Sequence, residues 1–298
     1  MEMLRHKTGW RWFETSAAML LCILAFAPGL HARDAAARVE QILSSPQRYS
    51  GSMIDDLAQL GRPAIPALVQ NLDTYRFPLV ILQALQRIGD ASATESLVAY
   101  LNRISADPDR QEERLVAITI LRELGDPRVE STLQLFLTDE NAQLATRVAA
   151  ASALAKWGSP GVKQEAVAFI LQVAREHPPG TRAFRHDILD EALASVDSDE
   201  GRSLLIARLG MASSASEQGR IIHLLGRDQA PAAASALVSF AEDKDKGVYL
   251  RMDAAKVLLD SGMDFPRDRV LVAMQQIRDV LSLDLRPQAE ELCRRLGP

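Results

Sequence analysis

Cysteine is nearly missing from this chain. Its 298 residues hold two, Cys22 and Cys293, so neither a disulfide framework nor a closed four-thiolate zinc site can organise the fold. Histidine is scarce as well, with five. The sequence has no His-Glu-x-x-His, no Gly-x-Ser-x-Gly and no glycine-rich phosphate loop. Aromatic residues supply only 5% of the chain against 47% for all apolar residues, which points to thin layers where small side chains let helices come close. An excess of basic charge is lacking too. The net charge of −5 argues against nonspecific binding to nucleic acid, which draws on a positive surface.

What is present is repetition. In the stretch from Arg114 to Leu137, Ala117, Ile120, Leu121 and Leu124 fall at i, i+3, i+4 and i+7, one face of a helix, and Gly125 stops it. Asp126 and Pro127 open a second helix, the aspartate accepting free amide hydrogens and the proline sacrificing none. Val129, Leu133, Phe136 and Leu137 form its buried edge. A hairpin this short cannot enclose a core alone, so it needs copies beside it. Arg147 to Gly158 matches Arg114 to Gly125 without a gap, and Arg251 to Gly262 and Arg286 to Gly297 share the frame R-x2-A-x3-(L/C)-x3-G. The second helix recurs as Ala93, Leu97, Tyr100, Leu101 and as Val162, Ala166, Phe169, Ile170.

The frame R-x2-A-x3-L-x3-G-D-P, whole in Arg114 to Pro127, resembles the short HEAT-like repeat of the phycobiliprotein-lyase type and covers nearly all of the chain beyond residue 50. That resemblance implies an all-α fold, an armadillo-type α-solenoid of about seven helical hairpins, in a class that mostly binds other proteins. The turn positions from Gly61 to Gly297 are spaced by 28 to 39 residues, with the variation expected in the loops. A tetratricopeptide array would hold a period near 34 with a tryptophan and tyrosine pattern, and ankyrin repeats would show Thr-Pro-Leu-His. Asp34 to Leu43 reads as a lead-in helix covering the first repeat. Residues 106–113 read as a polar connection, and the two prolines and glycine of residues 175–182 suggest a change of pitch near 175–183.

The first thirty residues differ from the rest. Arg5, Lys7 and Arg11 precede the uncharged run Ser16 to Ala27, which is shorter than the ~20 residues of a membrane-spanning helix. This resembles a secretory signal peptide cut after Ala32, leaving the domain 33–298 outside the cytoplasm, in the periplasm of a two-membrane cell; the alternative is an uncleaved anchor carrying an extracytoplasmic domain. Cleavage removes three basic and two acidic side chains and takes the net charge from −5 to −6. Cys293 alone then remains, at the repeat's buried leucine position, where an inert thiol is expected.

His186 and Asp190 stand at i, i+4 and are the most metal-like pair, but two ligands are too few for a zinc site. No metal and no cofactor are expected. His186 also occupies the position of the repeat arginine. Arg114, Arg147, Arg251 and Arg286 are expected to reach acidic turn residues of neighbouring repeats such as Asp90 or Asp126. The hydroxylase that modifies a translation-factor lysine resembles this fold, yet its paired His-Glu dipeptides have no counterpart here, and an export signal argues against a phycobilin lyase. The reading is therefore an exported, non-catalytic scaffold that holds a protein or peptide on its concave, second-helix side. The alternatives are an enzyme or enzyme-accessory protein of the lyase or hydroxylase type, and a membrane-tethered adaptor. Val98, Glu130, Gln134, Lys163 and Val167, on the second helices of repeats two to four, are the candidate contact residues; their mixed charge suits a protein better than a polyanion. Intact-mass measurement of exported protein is expected to give a chain starting at Arg33, and retention of residues 1–32 would favour the anchored form.

Overall fold

The computed structural model describes residues 32–45, 51–179, 185–281 and 285–297. The expected signal segment lies outside these except for its last residue, as do residues 180–184 at the expected change of pitch. The described residues contain helices and turns and no strand. Helix α1 covers 32–43. There follow α2 (Gly51–Gln59), α3 (Ile65–Asn71), α4 (Pro78–Ile88), α5 (Thr94–Ile104) and α6 (Gln111–Leu124). Next come α7 (Glu130–Thr138), α8 (Leu144–Trp157), α9 (Pro160–Glu176), α10 (His186–Ser195) and α11 (Asp199–Met211). The series closes with α12 (Ala215–Leu225), α13 (Pro231–Glu242), α14 (Val248–Ser261), α15 (Arg267–Val280) and α16 (Arg286–Leu296).

The chain forms two compact units, one ending at Leu124 with α1 to α6 and one starting at Gly125 with α7 to α16. Within the first, α2 packs on α4 and α4 on α6. Within the second, α8, α10, α12, α14 and α16 pack in succession, α9, α11, α13 and α15 do likewise, and each even helix also meets its odd neighbours. That is the two-layer stacking of HEAT-like hairpins, an all-α fold of the α-solenoid class. Hairpins α8/α9 through α14/α15 and the half-hairpin α16 follow the boundaries expected from the repeats. The spacing does not vary in the loops alone: α9 has 17 residues where α7 has 9, and α10 has 10 where α8 has 14. The polar connection after α5 is also partly helical, with a 3-10 turn at Pro108–Arg110 and α6 starting at Gln111.

Local chemistry explains the ends of these helices. Gly61, Gly89, Gly125 and Gly262 take φ between 63° and 72°, which favours glycine; Gly89 and Gly262 adopt the left-handed conformation that closes a helix, whereas Gly61 combines φ 63° with ψ −158°. Gly226 has φ −65° and is required for another reason: a Cβ there would lie 2.3 Å from Val257 Cγ1. Asp90 and Asp126 cap the second helices as expected, but through a 3-10 turn that precedes each, accepting from Ser92 N at 2.8 Å and from Arg128 N at 3.0 Å. The predicted inward faces are buried, among them Leu97, Tyr100 and Leu101 on α5 and Leu133, Phe136 and Leu137 on α7. Burial, and then the hydrogen bond from Tyr100 Oη to Glu113, pushes the Tyr100 phenol above its ordinary range.

The repeat arginines do not reach the acidic turns. Asp126 is held by Arg128, at 2.6 Å, and the cation beside Asp90 is Arg62. Arg114, Arg147 and Arg251 instead turn back ten residues to the end of the preceding helix, while Arg286 on α16 is exposed. Arg114 Nη1 donates to the carbonyls of Ile104, Ser105 and Asp107 at 2.9, 2.8 and 2.7 Å. Arg147 Nε donates to Leu137 O at 3.0 Å, and Arg251 Nε to Ala241 O at 2.9 Å. The last carbonyls of a helix have no partner within it and carry its negative end, so a cation there satisfies both. Arg114 and Arg251 are buried, where an orphaned carbonyl is costly. Arg114→Met keeps the stem and strands three acceptors, so urea unfolding is expected to show a loss of about 3 kcal/mol. Arg114→Lys, with donors arranged around one nitrogen rather than in a planar fork, is expected to recover only part of it.

Candidate functional site

The candidate contact residues divide between the units, Val98 in the first and Glu130, Gln134, Lys163 and Val167 in the second. Lys163 is exposed, whereas Val98, Gln134 and Val167 are half-buried. Glu130 is half-buried and already engaged: its carboxylate accepts from Ser159 N at 2.6 Å and from Ser159 Oγ at 2.9 Å, at the start of α9. The solvent face of the second helices lies one residue further on, at Ala99, Leu135 and Ala168. Leu135 is 68% exposed. Helical periodicity identified most of the buried edge, although Val162 and Phe169 on α9 are half-buried, and the position next to that edge is half open.

In the second unit this face carries few free charges. Charged side chains of the second helices are tied to neighbouring hairpins: Arg175 to Glu200 on α11, Arg202 to Asp228 in the turn before α13 at 2.5 Å, and Arg269 to Glu242 on α13 at 2.5 and 2.8 Å. Between these ties, α11 and α13 expose Ser203, Ala207, Ser235 and Ser239, and Met211 is exposed at the end of α11. The surface left over between α11 and α13 is made of small and partly apolar side chains, and α9 adds exposed Lys163 and Glu165.

Repeat five departs from the pattern. Shifting the α8/α9 hairpin by 39 residues places His186 at the position of Arg147, Asp190 at that of Ala151 and Arg208 at that of Phe169. Elsewhere in the second unit, Arg147 stands over the Phe169 ring at 4.8 Å. Here the two are exchanged. Arg208 Nη1 donates to His177 O at 3.0 Å, at the end of α9, and so takes over the closing bond that the histidine cannot make. Its Nε donates to Asp190 Oδ1 at 2.5 Å, and Nη2 lies 3.0 Å from His186 Nδ1. Arginine has only donors, so this imidazole nitrogen accepts and carries no proton. Asp190 is 1% exposed and its second oxygen takes Arg220 Nη2 at 2.8 Å.

His186 and Asp190 thus converge on guanidinium groups rather than on a metal position, and among the described residues no three His, Cys, Asp or Glu are placed to hold an ion. Around the cluster, burial would raise the Asp187 carboxyl, but the hydrogen bond and charge of Arg185, with the charge of Arg220, hold it below the usual carboxylate value. The exchange was legible in part: His-x3-Asp stands where other repeats have Arg followed by an apolar residue, and an arginine fills an aromatic position 22 residues on. Cys293 is half-buried beside buried Ala289, Leu292 and Leu296, and burial raises its thiol above the ordinary value. No described helix is long and apolar enough to cross a membrane.

No family model matches the chain, and no curated protein matches it. Among solved structures, that of human deoxyhypusine hydroxylase in complex with glycerol is similar, at 18% identity over 91% of this chain and 99% of that one, with a TM-score of 0.39. This neighbour corrects one expectation. A structure that the chain resembles is an enzyme's, so the reading of the chain as a non-enzyme is withdrawn. For the buried cluster, Asp190→Ala strands two guanidiniums, one fully buried, and calorimetry or denaturant unfolding is expected to show a loss of about 3–5 kcal/mol. His186→Ala, which leaves the Arg208–Asp190 bond in place, is expected to cost less than half as much.

Proposed function

We propose that the chain binds a protein or peptide partner along the exposed face of its second helices in the second unit, around Leu135 on α7 and the open faces of α9 to α13. The observation that carries this reading is the disposal of charge on that side. Most arginines and carboxylates there are paired with each other, and what remains for a partner is a surface of serine and alanine with exposed Leu135 and Met211, on which Lys163 and Glu165 of α9 are charges without an ion pair among the described residues. Such a surface gives a polyanion little to neutralise. It suits an extended or helical peptide that brings apolar anchors and hydrogen-bonding groups.

The proposal is for binding, whether or not chemistry follows on the bound partner. It places that binding outside the cytoplasm, on the strength of the basic start and apolar run of residues 5–27. Lys163 belongs to the rim of the face, and Gln134 and Val167 to its half-buried edge.

Leu135→Glu combined with Met211→Glu changes only exposed side chains, so the circular dichroism spectrum is expected to stay that of the parent. Pull-down from the native compartment with the parent is expected to enrich a partner that the double variant loses by about tenfold or more. Retention of every enriched partner by the double variant would refute the assignment of this face.

A further inference from the structure

A second open surface lies on the opposite layer, the first helices. Between α14 and α16 runs a groove of about 650 Å³. On one side α14 presents Tyr249, Met252 and Lys256, and on the other α16 presents Gln288, Leu292 and Arg295. In both helices these are residues i, i+3 or i+4, and i+7, a single stripe two turns long and about 10 Å in rise. The helices run in the same direction, since α15 returns the chain between them, and the Asp260–Arg295 bond of 2.7 Å ties their C-terminal ends. Met252 and Leu292 are buried at the floor, while Tyr249 at the mouth is 64% exposed.

The charges lining the groove are not equivalent. Asp253 is 3.1 Å from His223 Nε2, Arg295 is held by Asp260, and Glu291 is held by Arg294 at 2.6 Å. Lys256 has no ion pair among the described residues, and neither the Tyr249 hydroxyl nor the Gln288 amide has a hydrogen-bond partner there. Each of the three has a donor to give. The groove therefore offers an apolar floor, an exposed aromatic ring and one cation, Lys256, without an ion pair among the described residues, while Asp253 faces the imidazole of His223. It is open along its length, which fits a rod-shaped occupant better than an enclosed small molecule.

We propose that this groove docks an amphipathic helix of a partner protein, with apolar residues at i, i+3, i+4 and i+7 against Met252, Leu292 and the Tyr249 ring, and an acidic residue beside that stripe paired with Lys256. Two stacked helices with an open seam are the receptor for such a stripe, and an acidic neighbour supplies the one charge the seam lacks. The site is separate from the second-helix face and stands or falls without it.

The test uses the full chain and a fluorescein-labelled 18-residue amphipathic peptide with leucines at those four positions and glutamates flanking them, beside a counterpart with lysines in place of the glutamates. Fluorescence anisotropy is expected to show the glutamate peptide binding about tenfold tighter than the lysine peptide. Tyr249→Ala is expected to weaken both by about tenfold, Lys256→Glu to reverse the preference, and Leu135→Glu to change neither. Equal affinity for the two peptides, or an unchanged preference in Lys256→Glu, would overturn the proposal. So would binding that is lost in Leu135→Glu and kept in Tyr249→Ala, which would move the peptide to the other face. Self-association of the peptide-free chain that Tyr249→Ala abolishes, seen by sedimentation, would likewise overturn it by making a second copy the occupant.

Discussion

In the hairpins opened by α6, α8 and α14 the stacking depends on one interaction, the bond from an arginine in the first turns of the hairpin to the carbonyls that end the helix before it. A hairpin of two short helices has apolar surface enough to stick to its neighbour, but apolar contact is nondirectional and leaves the pitch of one hairpin on the next unspecified. A guanidinium donating to Ile104, Leu137 or Ala241 across ten residues does specify it. It fixes where one helix stops and how the chain re-enters the layer. Its stem and ring plane meanwhile pack as hydrophobic material, as Arg147 does over Phe169. The acidic turn residues have the more local task of capping second helices.

Repeat five shows that the bond matters more than the residue that makes it. There the first-helix position holds His186, and the carbonyl at the end of α9 is met by Arg208 from the second helix. Moving the cation across the hairpin places it among side chains that are apolar in other repeats, and Asp190 is the counter-charge it needs. Asp190 in turn draws in Arg220 from α12, whose Nε is buried without a partner. A buried charge is tolerated where its partners are complete, and this cluster is nearly so. The ion pairs between surface helices, such as Arg103 with Asp73 at 2.7 Å and Arg295 with Asp260 at 2.7 Å, are exposed and add little stability each. Their consequence is for recognition, since they remove charge from the faces a partner would touch.

Much of this fold was legible in the sequence. The apolar spacing of Ala117, Ile120 and Leu121 and the turn glycines located the hairpins, because packing in a stacked repeat depends on the same few positions each time. Three things were not legible. The destination of the repeat arginines was hidden, because backbone carbonyls leave no mark in sequence while Asp90 and Asp126 do. The degree of exposure along the second helices was hidden, since Gln134 and Val167 are half-buried while Leu135 and Ala168 beside them are exposed, and a helical wheel ranks neither. The groove between α14 and α16 arises from which charges find partners, and that is decided by rotamers. The start of α12 is also written in the sequence: Ser214 followed three residues later by Glu217 forms a full capping box there.

The central claim is that the hairpins opened by α6, α8, α10 and α14 each need one arginine on the carbonyls of the helix before them, whichever helix supplies it. It is tested most directly by returning repeat five to the common pattern, with His186→Arg, Arg208→Phe and Asp190→Ala combined. Denaturant unfolding of this triple variant is predicted to show about 2 kcal/mol or more of stability over Arg208→Phe with Asp190→Ala alone, which leaves His177 O without its donor, since both variants equally deprive Arg220 of Asp190. A triple variant no more stable than that double variant would contradict the account.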